Sequence, residues 1–111
     1  MKVRLKYGKQ ELIILAITWS SGRSKSKAIN RMGTQFSGYD GNGLQELIPD
    51  EFDILDPSID NFVYTHQDDD RFCGLVWQPL AQLEFWQLVQ DYDPQAITEL
   101  QALVRAAPEL S

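Results

Sequence analysis

The chain has few of the residues that most often build small chemical sites. Among 111 residues there is one cysteine, Cys73, and one histidine, His66. A lone cysteine makes no internal disulfide, and one Cys with one His cannot supply a structural zinc site or a CxxC redox pair. A reducing, cytoplasmic setting is the expectation. Long apolar runs are also missing: the longest, residues 12–17, has six residues, against the ~20 that a membrane-spanning helix needs. No secretory leader pattern opens the sequence, so neither a span nor export is expected. There is no internal repeat, heptad pattern or low-complexity tract, which excludes solenoids and coiled coils.

What is present is the composition of a folded domain. The chain is 43% apolar or aromatic and 23% charged, a balance that separates it from disordered tails. Its length accommodates one domain, 1–111, and leaves little for a second. The net charge of −6 conceals two opposite segments. Residues 1–35 hold eight bases against Glu11, a charge of +7, whereas residues 36–111 hold fifteen acids against Arg71 and Arg105, a charge of −13. Such asymmetry has three readings: the basic segment folds against the acidic one and neutralises it, the basic segment meets an anionic partner, or the acidic face docks on a basic partner.

The apolar spacing gives an order of elements. Val3, Leu5 and Tyr7 alternate with Lys2, Arg4 and Lys6, the period of a half-buried strand, and the nearly continuous apolar run 11–19 reads as a strand covered on both faces. Gly8 between them suits a hairpin turn. Residues 20–43 change to Ser, Gly, Lys and Asn, with five glycines between Gly22 and Gly43, and read as a long loop or mobile basic arm holding at most a helical turn over 25–32. Pro49 and Pro57 limit any element over 44–60 to a short piece, with a helical one expected near 44–48. Residues 61–66 and 71–77 are rich in aromatic and β-branched side chains and read as a second hairpin with the acidic tip 67–70. Pro79 suits the start of a helix whose Leu80, Leu83, Phe85, Trp86, Leu88, Val89 and Tyr92 wrap more than half its circumference, so burial on two sides is expected. Asp93-Pro94 ends that helix and starts another striped by Ile97, Leu100, Leu103, Val104 and Ala107. The fold expected is α+β: a small antiparallel sheet of about four strands, in two hairpins, packed by a C-terminal αα-hairpin.

Candidate chemistry is thin. Gly22, Lys25 and Ser26 follow a buried strand as in a phosphate loop, but the second glycine that should adjoin the lysine is absent. A looser anion or nucleic-acid contact through Arg23, Lys25, Lys27 and Arg31 stays open, with Trp19 beside them to stack on bases. Asp40, Asn42 and Glu51 stand at positions one, three and twelve of a calcium loop, yet Leu44 and Gln45 occupy its fifth position and its turn glycine, so they read as turn chemistry. His66, Asp68, Asp69 and Asp70 are the one cluster of metal-ligand types, and three neighbours at a hairpin tip rarely hold an ion. Cys73 reads as a small strand hydrophobe, and a Cys73/His66 pair across the hairpin lacks an orienting group.

The densest feature is acidic. Residues 46–70 hold Glu46, Asp50, Glu51, Asp53, Asp56, Asp60, Asp68, Asp69 and Asp70 with no Lys or Arg, interleaved with Leu47, Ile48, Phe52, Ile54, Leu55 and Phe62. Acids supply steering, and Phe52, Ile54 or Leu55 an anchor, for docking on a basic protein. The expectation is a non-enzymatic interaction module (adaptor, assembly factor or inhibitor) with neither cofactor nor metal. A nucleic-acid-binding accessory protein using residues 23–31 is the alternative, and a metal-dependent enzyme built on His66 a weaker one. Three tryptophans and the broad apolar helix also admit a homodimer.

Overall fold

The computed structural model describes residues 1–19, 34–66 and 73–110. Among these residues seven antiparallel strands and two helices follow one another: β1 (Lys2–Leu5), β2 (Glu11–Trp19), β3 (Thr34–Tyr39), β4 (Leu44–Leu47), β5 (Phe52–Asp56), β6 (Phe62–His66), β7 (Cys73–Trp77), α1 (Leu83–Gln90) and α2 (Pro94–Ala106). The class is the α+β expected, but the sheet is nearly twice the anticipated size. The two additional strands next to the expected hairpins, β3 and β4, come from segments that read as arm and helix, and β5 from one that read as turns.

β2 organises the sheet because both its edges are used. β3 runs along one edge from Ile13 to Trp19; on the other, β1 takes Glu11 to Ile13 and β7 takes Ala16 to Trp19. Its burial on both faces has a specific cause. Ile14 pairs with Gly38 but Ala16 with Ser37, so Leu15 is an extra residue that steps the strand by one. Leu12 and Ile14 before the bulge and Ile17 after it therefore enter one core, whereas Ile13, Leu15 and Ala16 enter the other. An uninterrupted apolar run is what such a strand needs.

The first core is the interior of a curl. Strands follow the order β4-β3-β2-β1-β5, and β4 and β5, the two ends of that path, are joined by residues 48–51 alone. In a flat sheet β3 and β5 would stand three strand spacings apart, roughly 14 Å. Instead the Phe36 and Phe52 rings meet edge to face at 5.0 Å. The strands thus close partly on themselves, like a small barrel, around Val3, Leu12, Ile14, Leu47 and Phe52. Gly38 belongs to this closure, since a Cβ there would stand 3.0 Å from Leu12 Cδ1 and 3.2 Å from Leu47 Cδ1. Of the segment expected as a loop, Thr34–Tyr39 is in fact a strand and residues 40–43 form the turn after it.

The second core lies between the sheet and the helices. Leu15, Ala16, Val76 and Trp77 meet Leu80, Val89, Ala96 and Leu100. Burying a Leu or Val of this kind contributes about 1.5–3 kcal/mol. α2 starts as anticipated, with Asp93 accepting from Ala96 N at 3.0 Å and Pro94 at the first turn. Pro79 instead sits in a 3-10 turn (Gln78–Leu80), and α1 begins only at Leu83. The expected two-sided burial of this helix is not found: Val89 is buried, but Leu83 and Leu88 are 54% and 47% exposed. Only one side of α1 meets the sheet.

The tip between β3 and β4 locks this helical layer. Tyr92 Oη donates to Leu44 O at 3.0 Å and Gln101 Nε2 to Gly41 O at 2.8 Å. Asp40 shapes the tip, its Oδ1 accepting from Asn42 N and Gly43 N and its Oδ2 from Gln45 Nε2, all within 2.9 Å. At the far end Glu109 Oε1 accepts from the buried Trp77 indole at 3.0 Å and fixes the C-terminal turn.

Candidate functional site

The described part of the acidic band divides in two. Asp50, Glu51, Asp53, Asp56 and Asp60 are exposed along β5 and the turns at its two ends. Glu46 lies on β4 beyond the connecting turn, and its carboxyl is pushed above its ordinary value by desolvation. Asp68, Asp69 and Asp70 lie outside the described residues, as do Arg23, Lys25, Lys27 and Arg31.

β5 pairs only with β1 among the described residues, so its other side is a sheet edge. The register explains how its acids are held. Asp53 stands opposite Arg4 and Asp56 opposite Lys2, with Leu55 as an extra residue between them. The basic start of the chain thus lies beside part of the acidic band. Arg4 itself makes an ion pair with Glu11 at 3.3 Å, both half-exposed, a contact worth little in stability. Asp50 and Asp60 have no base opposite them in this register.

The turn before β5 is rigid. Glu51 N donates to Ile48 O at 3.0 Å, Ile48 N donates back to Glu51 Oε1 at 3.2 Å, and Lys6 N reaches Glu51 O at 2.9 Å. After β5, Asp56 Oδ1 accepts from Ser58 N at 2.9 Å. Between these pins the apolar side chains divide. Phe52 is 5% exposed and points into the curl against Phe36, so it is a core residue and not a contact, correcting its assignment to the docking surface. Ile48, Ile54, Leu55 and Ile59 are 42%, 53%, 43% and 40% exposed. Four aliphatic side chains partly in water on one edge, among five acids, are the surface this segment offers. Ile48 and Ile59 were not among the expected contacts; their signal in the sequence was a position beside proline or turn residues, which keeps them off a ladder.

The other motifs resolve more simply. The calcium-like Asp40 and Glu51 use their carboxylates on backbone N–H groups. Burial raises the Asp40 carboxyl, but the Gln45 amide and the N–H groups of Asn42 and Gly43 outweigh it and hold the group below its ordinary value. Among the described residues no three His, Cys, Asp or Glu side chains gather closely enough to hold an ion. The β6–β7 register sets His66 opposite Cys73, and Cys73 is half-buried. Trp19 and Tyr64 bring their rings to 6.4 Å at the end of β2, where the chain continues into residues 20–33. No helix among the described residues is long and apolar enough to cross a membrane.

No protein-family model matches the chain, and neither a curated protein nor a solved structure matches it.

Proposed function

We propose that this protein is a non-enzymatic interaction module of the cytoplasm, an adaptor, assembly factor or inhibitor, whose β5 edge docks on a basic protein surface. The observation that carries this reading is the composition of that edge: Ile48, Ile54, Leu55 and Ile59 are each at least 40% exposed amid Asp50, Glu51, Asp53, Asp56 and Asp60. Exposed acids steer a basic partner and set the association rate, and the aliphatic side chains, once desolvated, set the residence time. The turn pinned by Glu51 holds the surface before the partner arrives, which lowers the entropy lost on binding.

The test separates the two contributions. Replacing Asp50, Glu51 and Asp53 by Asn, Gln and Asn slows association with the captured partner and flattens its salt dependence. Ile54→Ser with Leu55→Ser shortens the lifetime of the complex about tenfold or more at an unchanged association rate. Unchanged kinetics in both variants sinks the assignment.

The Trp19–Tyr64 ring pair favours a second reading, in which single-stranded nucleic acid stacks there and is held by Arg23, Lys25, Lys27 and Arg31. A labelled oligonucleotide that binds with a steep salt dependence, lost when those four residues become Ala, supports it. Salt-independent or absent binding removes it.

A further inference from the structure

The αα-hairpin carries an open groove that the sheet does not use. Phe85 and Leu88 of α1 form one wall, Glu99 and Ala102 of α2 the other, and Pro94 and Ala96 close the end near the turn, around a volume of about 670 Å³. It opens to solvent at Leu88, which is 47% exposed, while Ala96 beside it is buried in the second core. Alanines on α2 leave space for another backbone to approach, and a third helix laid between two others is the ordinary way to cover such a surface.

Charge selects the occupant. From Leu83 to Ala106 the hairpin carries Glu84, Asp91, Asp93 and Glu99 against one base, Arg105 in the last turn of α2. Two of these acids line the groove, Asp93, engaged at the start of α2, and the exposed Glu99; Glu84 and Asp91 are exposed elsewhere on the hairpin. A second copy of this chain seated through the same groove would bring one acidic rim against another. A basic partner meets no such opposition.

We infer that the α1–α2 groove is a second docking surface, distinct from the β5 edge, which takes an amphipathic helix with basic flanks from a partner protein. Along α2 the groove runs over residues 94–102, roughly 13 Å at 1.5 Å per residue. The occupant presents about two turns with apolar side chains at i, i+4 and i+7, and lysine or arginine beside them toward Glu99.

The experiment titrates the isotope-labelled full chain with a synthetic helical peptide of about 15 residues, leucines at those spacings and lysines beside them. Saturable amide shifts confined to residues 83–106 are expected. Leu88→Asp should weaken binding about tenfold or more and Glu99→Lys about threefold or more, because one puts a charge in the apolar wall and the other reverses the rim. Both side chains are exposed, so the variants should melt like the parent, and their melts are recorded alongside. Three results overturn the inference: shifts that map to β5 or do not saturate; equal binding of a peptide with the same residues reordered to abolish the apolar stripe; or a parent that sediments as a dimer which Leu88→Asp converts to monomer, making a second copy the occupant.

Discussion

Gly43→Ala is a small change whose effect the structure ties to one neighbour. A Cβ on residue 43 would stand 2.7 Å from Tyr92 Cε1, where ordinary contact begins near 3.4 Å. Gly43 is not among the residues with positive φ, so alanine meets no backbone strain there. The Tyr92 ring must therefore move by more than half an ångström, which strains or breaks its Oη–Leu44 O bond of 3.0 Å. Losing such a bond costs about 0.5–1.5 kcal/mol, and the displaced ring adds a packing loss of similar size. Against this, alanine stabilises by about 0.4–1 kcal/mol through the unfolded chain. The net expectation in the parent is a loss of about 1 kcal/mol, which lowers Tm by roughly 4–8 °C in a domain near this size. In a Tyr92→Ala background the obstacle is gone, and the same substitution should stabilise by about 0.5 kcal/mol. Urea unfolding of the four proteins, followed by circular dichroism, yields the coupling energy, expected near 1.5 kcal/mol. Equal effects of Gly43→Ala in the two backgrounds would refute the reasoning, and with it the claim that the β3–β4 tip clamps the helical layer.

Three further outcomes follow from the same geometry. Phe52→Ala should cost about 3–5 kcal/mol in chemical unfolding, since it empties the curl against Phe36, whereas Ile54→Ser should change stability little; the reverse order would place Phe52 at the surface. Asp40→Asn should destabilise at neutral pH, because an Asn amide cannot also accept from Gln45. Asp40 has a depressed pKa, so its contribution is complete above the unfolded carboxylate range and disappears as pH falls through the folded pKa; melts of both proteins should converge in acid. Glu46→Gln has the opposite sign. A carboxyl raised by desolvation favours the folded state below its unfolded pKa and loses that advantage as pH rises through the folded one, so the glutamine variant should be the more stable at neutral pH and gain nothing in acid.

Much of the architecture was legible from period and punctuation. Alternation at Val3, Leu5 and Tyr7 with Gly8 marked the first hairpin, the β-branched stretches marked β6 and β7, and Asp93-Pro94 marked the break between the helices. The strands that escaped did so for physical reasons. β3 contains Ser37 and Gly38, poor strand formers in isolation, held in the centre of the sheet because Leu12 and Leu47 leave no room for a side chain at 38. β5 lies between Pro49 and Pro57 and alternates acids with aliphatic residues; it becomes a strand because β1 offers an edge, a long-range partner that no local window contains. Both faces of β2 were readable from its composition, but the bulge at Leu15 that makes this consistent was not. At the candidate surface the acids were visible as a band, whereas the inward turn of Phe52 and the exposure of Ile48 and Ile59 depend on the curl. The charge split left three readings open; the β1–β5 register places Lys2 and Arg4 across from Asp56 and Asp53, while the ion pair that Arg4 makes is with Glu11.

The central claim, that the β5 edge docks a basic protein, is tested most directly by affinity capture from the native extract with and without nuclease. The parent is compared with a variant carrying Asp50→Asn, Glu51→Gln, Asp53→Asn, Ile54→Ser and Leu55→Ser. One basic protein, identified by mass spectrometry, is expected to be retained by the parent after nuclease at low salt, released progressively as salt rises, and not captured by the folded variant. Equal capture by both proteins, or loss of every partner from the parent on nuclease treatment, would contradict it.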